Sequence, residues 1–384
     1  YTPDELARKL DKNAIRLSVS VGEEVSTIHL SVIKEDWQKG LALLEEILTR
    51  PVFNSRILTV VKEQLLVDLK RQGGNAQSVA MREGMIWHFK NHPYGRDPLI
   101  GLKTIPKIGR KDLLHFMKTY FVPSNMVVAV SGDITKKQAV SGIRKLLKAL
   151  PDSQAPQRRI DDPPATPPVL ALIPKPGQIQ SQVILALRGV KRTSMDFWKI
   201  RLLTDIFGGS DSLMYTRLRD DLGLVYSAGF FQTYKWQAGL LVGYIGCKGD
   251  QTPTSIAETI KIMDVLRNEV PAETLKLKRL EALNSFVFNV DTPAELVATY
   301  ARYYMRREPL DTLEKIQEAY IGVDGQKLQT LAQEYLVPEK LQIFVVADKN
   351  IPVFRTDIEV NNLADDLKAL ATRIGLPYRE IPLR

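Results

Sequence analysis

The chain has one cysteine, Cys247, among 384 residues, which excludes an intramolecular disulfide framework and a cysteine-rich metal site and leaves the redox compartment open. Inside an apolar run, that thiol reads as a packed small hydrophobe rather than a nucleophile. Long apolar runs are missing as well: none approaches the roughly 18 to 20 residues of a membrane span, and no charged-then-apolar signal peptide is visible at Tyr1. Histidine is scarce, limited to His29, His88, His92 and His115. His88 and His92 have a metal-capable helical spacing, but Pro93 ends the helix near Lys90 and leaves His92 in a turn. Strong charge clusters are also lacking. The net charge of +9 is scattered, with short groups at Arg144, Lys145, Lys148 and at Gln157-Arg158-Arg159, so it describes a solvated surface and not a nucleic-acid site.

What the sequence does have is an internal likeness. TYFVPSNMVVAVSGD, Thr119 to Asp133, returns as EYLVPEKLQIFVVAD, Glu334 to Asp348, at an offset of 215 residues. That spacing far exceeds the roughly 20 to 50 residues of solenoid repeats, so each copy is expected to be a domain. Upstream, Arg56 to Leu66 matches Glu273 to Leu283 in nearly the same register. With 44% hydrophobic residues the chain can core two or three such domains. The second copy opens with a strand and helix near Leu170 to Phe207 whose counterparts would precede residue 1. The expectation is therefore a native chain with roughly forty more residues at its front, because an exposed half-domain edge is costly.

Six prolines in PDSQAPQRRIDDPPATPP, Pro151 to Pro168, cannot continue a helix or a central strand and mark a linker. The domain expectation is 1–150, a linker at 151–168, and 169–384. In the first part, Leu17 to Val21 and Thr27 to Val32 alternate like a hairpin about Gly22-Glu23-Glu24. Helices are expected near Trp37 to Leu48, Ser55 to Gln72, Gln77 to Phe89, Arg110 to Tyr120 and Gln138 to Leu150, with a strand at Met126 to Ser131. In the second part, Gln182 to Leu187, Leu224 to Thr233 and Gly239 to Cys247 read as strands, and Ser194 to Phe207 and Leu363 to Ile374 as helices. The fold class is α+β: two homologous domains, each a mainly antiparallel sheet with helices packed on one face. Gly223 suits the left-handed position after a helix end, reversing the chain into the strand that carries Tyr226 and bringing Arg219 near it. Gly208 and Gly209 resemble a phosphate loop, but no Lys-Ser/Thr follows them, and a tight turn accounts for them better.

GGSDSLMYTRLRDDLGLVYSAGF, Gly208 to Phe230, resembles the second-domain signature of the insulinase/pitrilysin family of zinc peptidases, nearest its processing-peptidase-like branch. PKPGQIQSQVILALRGV, HPYGRDPLIGLKTI and YFVPSNMVVAVSGD are similar too, so the resemblance covers nearly all of the chain before Lys349. It implies two α+β domains around a peptide-binding chamber, with an Arg and a Tyr seven residues apart in the second. Arg219 and Tyr226 have that spacing. A guanidinium and a phenol both donate hydrogen bonds where oxygen charge develops in peptide hydrolysis; the plainer alternative is an Arg at a helix end and a Tyr packed in a sheet.

The family's zinc motif, His-x-x-Glu-His, does not occur in the sequence; in family register it belongs on a helix before Tyr1. The third zinc ligand, normally Glu, falls on Asp68, one methylene shorter, and an assisting Glu falls on Val61, which cannot hydrogen-bond. The resemblance therefore implies no metal ligand and no cofactor in this chain, with zinc expected in a partner, or here only if an upstream segment carries the motif. It also implies that Leu17, Ser18, Val19, Ser20 and Val21 form the edge strand that receives substrate as an added strand, although an ordinary edge strand alternates in the same way. The expected partners are a homologous zinc-peptidase subunit or a second copy, and a peptide substrate, with no nucleic acid and no transmembrane segment. Whether the chain is an enzyme stays open, since it is not expected to act alone. Three readings follow: a zinc-less partner subunit supplying Arg219 and Tyr226, a zinc endopeptidase whose motif lies upstream, and a non-catalytic peptide-binding or scaffold subunit. For location, the bacterial periplasm or cell envelope is favoured over the cytoplasm by the family alone.

Overall fold

The computed structural model describes residues 1–157, 160–288, 290–355 and 360–383, so the Arg158-Arg159 part of one basic cluster lies outside the described residues. The fold is α+β, with one main mixed sheet and helices packed against it. The described residues cluster into two compact units, each assembled from separate stretches of chain. One holds residues 1–66, 102–160 and 286–312, and the other 67–101, 161–285 and 313–384. Each unit thus includes a helix from the opposite half of the sequence: Ala76–Phe89 belongs to the second unit and Pro293–Arg306 to the first.

In the first unit, β1 (Arg16–Val21) and β2 (Ser26–Ser31) form the expected antiparallel hairpin. The Trp37–Thr49 helix crosses the Lys136–Lys148 helix where Gly142 leaves room; a Cβ there would stand 2.7 Å from Leu41. Leu41, Leu48, Leu146 and Leu150 are buried at this crossing. The Met126–Ser131 stretch, expected as a strand, forms no ladder with any described strand. Its backbone starts extended, with Met126 at φ −124° and ψ 143°, but extended backbone becomes a strand only when neighbours supply its hydrogen bonds.

The second unit carries the six-stranded sheet in the order β5-β6-β4-β7-β3-β8: β3 is Val169–Pro174, β4 Gln180–Gly189, β5 Val225–Tyr234, β6 Gly239–Lys248, β7 Gln342–Ala347 and β8 Tyr378–Glu380. Pairs β5-β6, β6-β4 and β4-β7 are antiparallel, while β7-β3 and β3-β8 are parallel. β3 and β7 are apolar almost throughout and buried except at Pro174, as strands covered on two faces must be. On one face Leu185, Gly243 and Phe230 meet, and Phe230 takes the edge of Phe207 from the Phe197–Gly208 helix at 4.6 Å between ring centroids. On the other, the Ala76–Phe89 helix lays Gly84 against Phe344 and Ile184. The expectation of helices on one face does not hold for this sheet. A helix from the first half of the sequence covers the second face, and no pattern within the second half could announce it.

That helix also anchors part of the proline-rich segment. Buried His88 bonds through Nδ1 to Oε1 of Gln342 at 2.9 Å, and Gln342 Nε2 donates to Thr166 Oγ1 at 2.7 Å. Trp87 Nε1 donates to the Pro167 carbonyl at 3.0 Å, and Arg188 to that of Pro163 at 3.3 Å. Since the Gln342 amide nitrogen is already committed as donor, its oxygen accepts from a neutral His88. Burial first, and Arg188 after it, push the His88 pKa below its ordinary 6.5, opposed by the Gln342 bond. The native state therefore prefers the uncharged ring, whereas the unfolded chain binds a proton as pH falls through 6.5. Stability is expected to be full above pH 6.5 and to decline below it. In urea unfolding, His88→Ala should cost about 1 to 3 kcal/mol at pH 7.5, through the unpaired buried amide, and should flatten the acid decline. An unchanged pH profile in the variant would count against this account.

Candidate functional site

The Arg219/Tyr226 region is built by a helix that stops abruptly. At the end of the Phe197–Gly208 helix a Cβ on Gly208 would stand 2.2 Å from Cβ of Phe230, so only glycine allows the helix to touch β5 there. The Gly208-Gly209-Ser210 turn is held from below by Lys278, whose side chain is 5% exposed and whose Nζ donates to the Ser210 carbonyl and, at 2.8 Å, to Glu281. Ser212 then caps Leu213–Tyr215 by accepting from the Tyr215 N–H. The chain continues as one wide turn, the π-helix Thr216–Asp221. Such π segments are rare and concentrate at functional sites.

Arg217 fastens this turn through Nε to Glu258 at 3.3 Å. The Lys261 ammonium first, and Arg217 second, hold the Glu258 carboxyl below its usual range against the cost of desolvation. These supports, Glu258 and Lys278, lie 41 and 68 residues from their partners, and no local spacing in the sequence signals them.

Gly223 has φ +60°, the left-handed geometry expected at the reversal, and the Leu224 N–H closes it on the Leu218 carbonyl at 2.8 Å. β5 begins at once with a bulge. Val225 pairs with Cys247 and Ser227 with Gly246, so Tyr226 is the extra, unpaired residue. A bulge re-aims a side chain and raises local twist. Arg219 Nη1 donates to the Val225 carbonyl at 2.7 Å, which ties the guanidinium to the residue just before Tyr226. Arg219 and Tyr226 are both exposed. The two side chains named from the sequence are thus brought to one short segment by a π turn, a left-handed glycine and a bulge. Cys247, opposite the bulge, is buried with its thiol pushed up to about 11 by desolvation, a packed and inert group.

The other named residues are placed as follows. Leu17, Ser18, Val19, Ser20 and Val21 all lie in β1, which pairs with β2 on one side and with no other described strand. Val19 and Val21 are exposed. Asp68 sits on the Ser55–Gly74 helix, and its carboxylate accepts from Arg71 Nη2 at 3.1 Å. Val61, on the same helix, is exposed. His92 lies past the end of its helix, bonded to the Asp161 carbonyl. Among the described residues no three His, Cys, Asp or Glu side chains converge as a metal site. Asp68, at the position that the resemblance gives to a zinc ligand, is paired with Arg71.

Residues 107–280 match the family model described as "Peptidase M16 inactive domain". The chain is 20% identical over 334 residues to an "uncharacterized zinc protease" of Rickettsia bellii, covering 83% of this chain and 79% of that one. It is 25% identical over 261 residues to a "non-peptidase homolog" of Helicobacter pylori, covering 67% and 60%. The crystal structure of a peptidase M16 inactive domain from Pseudomonas fluorescens superposes with a TM-score of 0.81 at 20% identity, over 89% of this chain and 82% of that one. Residues 107–280 thus match a domain of the M16 peptidase family. The matched span includes Arg219 and Tyr226, in agreement with the resemblance read from Gly208 to Phe230. No described helix is long and apolar enough to cross a membrane.

The geometry predicts a specific sensitivity at the reversal. A Cβ on Gly223 would meet nothing within 4 Å, so Gly223→Ala carries only the left-handed backbone cost of about 1 kcal/mol. A urea midpoint lowered by that amount, with an unchanged slope, is the expected result.

Proposed function

We propose that this chain is a zinc-less partner subunit of a peptidase assembly, contributing Arg219 and Tyr226 to a zinc site carried by a homologous chain. The observation that carries the reading is the exposed pair tied together through the Val225 carbonyl. Beside it stands a ligand position, Asp68, committed to Arg71. A guanidinium and a phenol fixed on a short, braced segment can donate hydrogen bonds to a peptide carbonyl as its oxygen gains charge, and fixed donors cost no reorganisation during the reaction. Arg219 spends one N–H on Val225 and keeps four others for a ligand. β1, with one side of its ladder open, would take the extended peptide by main-chain bonding.

The reading includes two related halves, 1–150 and 169–384, joined through 151–168. Element positions support it: Arg110–Tyr120 and Gly325–Tyr335 are offset by 215 residues at each end, as are Pro123–Asn125 and Pro338–Lys340, and the starts at Trp37 and Thr252. A scaffold role is the second reading, favoured by the likeness to the non-peptidase homolog of Helicobacter pylori. A zinc endopeptidase in its own right is the third, favoured by the likeness to the uncharacterized zinc protease of Rickettsia bellii.

Zinc content and peptidase activity of the purified full-length protein, alone and mixed with a homologous chain bearing His-x-x-Glu-His, separate the three. The partner reading expects little zinc and no activity alone, and activity in the mixture that falls about 100-fold in Arg219→Ala and Tyr226→Phe. Stoichiometric zinc with activity alone overturns it. Unchanged proteolysis in both variants, with assembly intact, makes the chain a scaffold.

A further inference from the structure

Just beyond the bulge, β5, β6 and β4 share one row of the main sheet: Ser227 stands opposite Gly246, and Gly246 opposite Gln182. Val225 faces the same way as its partner Cys247, whose Sγ lies 3.5 Å from Thr252 Oγ1 at the start of the Thr252–Asn268 helix. Successive strand residues alternate between faces, so Tyr226 turns to the opposite face, and the bulge keeps Ser227 there as well. A Cβ on Gly246 would stand 2.8 Å from Ser227 Oγ, and 3.5 and 3.7 Å from Nε2 and Oε1 of Gln182. The hydroxyl and the carboxamide therefore lean over the same glycine from the strands on either side of it. Ser227 is exposed and Gln182 half-buried, and among the described residues neither side chain has a hydrogen-bond partner. The next five residues of β4, 183–187, are apolar and buried. Gln182 is thus a polar group at the end of an apolar run, with no bonding role in the fold.

From this row we infer that Gln182, with Ser227 beside it, holds the main-chain amide of the peptide residue next to the bond that Arg219 and Tyr226 serve. The inference deepens the partner-subunit reading above and rests on it. In an extended chain the N–H and C=O of one residue point to the same side, which is how opposed strand residues exchange two hydrogen bonds. A carboxamide carries the same donor and acceptor side by side. Nε2 of Gln182 donates to the peptide carbonyl while Oε1 accepts from the peptide N–H, and the Ser227 hydroxyl can do either. A substrate side chain is a poorer occupant, because the tips of Ser227 and Gln182 fill the space over Gly246 and make the row a floor, not a pocket. Bonds of this kind hold every peptide sequence alike and leave side-chain preference to other surfaces.

The test uses the full-length chain mixed with the homologous chain bearing His-x-x-Glu-His, and a casein-derived peptide that the mixture cleaves. Esters of that peptide replace one main-chain N–H at a time by oxygen around the cleavage site. Gln182→Leu should raise KM about tenfold, as loss of two hydrogen bonds between neutral groups does, and leave kcat within about twofold, because the amide is held alike before and during reaction. Ser227→Ala, at an exposed position, should move KM the same way by about threefold. One ester beside the cleaved bond should cost the wild type about tenfold in KM and Gln182→Leu almost nothing, since the bond is already gone there. Should Gln182→Leu fail to fold, the ester comparison is made with Ser227→Ala. An unmoved KM in the variants, or esters that cost variant and wild type alike, overturns the inference. So does a variant that loses its response to a side-chain change in the peptide and keeps its response to the esters. Arg219→Ala, measured alongside, separates the two layers. Loss of turnover there with an unmoved KM in Gln182→Leu removes the amide site and leaves the partner reading standing; proteolysis that is absent from the mixture, or indifferent to Arg219→Ala, removes the reading and the amide site with it.

Discussion

The contact between Gly208 and the backbone of Phe230 is the constraint on which the candidate site depends. A helix and an edge strand approach closely enough that any side chain at position 208 would collide with Phe230, and the Phe207 ring completes the contact against the Phe230 ring. Everything that follows is timed from that point. The turn must begin at Gly209, the Ser210 carbonyl must fall over Lys278, and the π turn must end where Gly223 can reverse the chain. Interior packing at this density transmits small displacements rather than absorbing them. Moving the helix end would therefore move Arg219.

The supports around the Arg/Tyr segment form a graded set. Buried Lys278 makes two bonds, one to a carbonyl and one to a carboxylate, which offset the cost of taking a polar group out of water. Arg217 and Glu258 lie nearer water, where an ion pair contributes less. Arg219 is itself exposed, so its bond to Val225 fixes direction more than it adds stability. Exposure thus rises from the sheet outward, and Arg219 stands last in that series.

Much of this was legible in the sequence where the cause is local. Gly223 was readable because a left-handed reversal demands glycine, and the Arg110–Tyr120 helix because its apolar spacing and flanking residues define it. The hairpin of β1 and β2 was readable from alternation. The coverage of the main sheet was not, because the Ala76–Phe89 helix and the strands it covers belong to different halves of the chain. Alternation also made Met126–Ser131 read as a strand, yet alternation reports a half-buried face and not a pairing partner, and no described strand pairs with it. The bulge at Tyr226 was likewise hidden, for a bulge is a relation between two strands and appears in neither alone.

That bulge gives the seven-residue interval from Arg219 to Tyr226 a meaning that helical periodicity does not. The interval is a path length: a wide turn, one left-handed residue and one uncounted residue at the strand entry. Substitutions at Asp220 or Leu222, both exposed, change what the path is made of and leave its length intact. Adding or removing a single residue would shift the phase of β5 against β6 and send Tyr226 into the ladder. Across related chains, this segment should be far stricter about residue number than about residue identity.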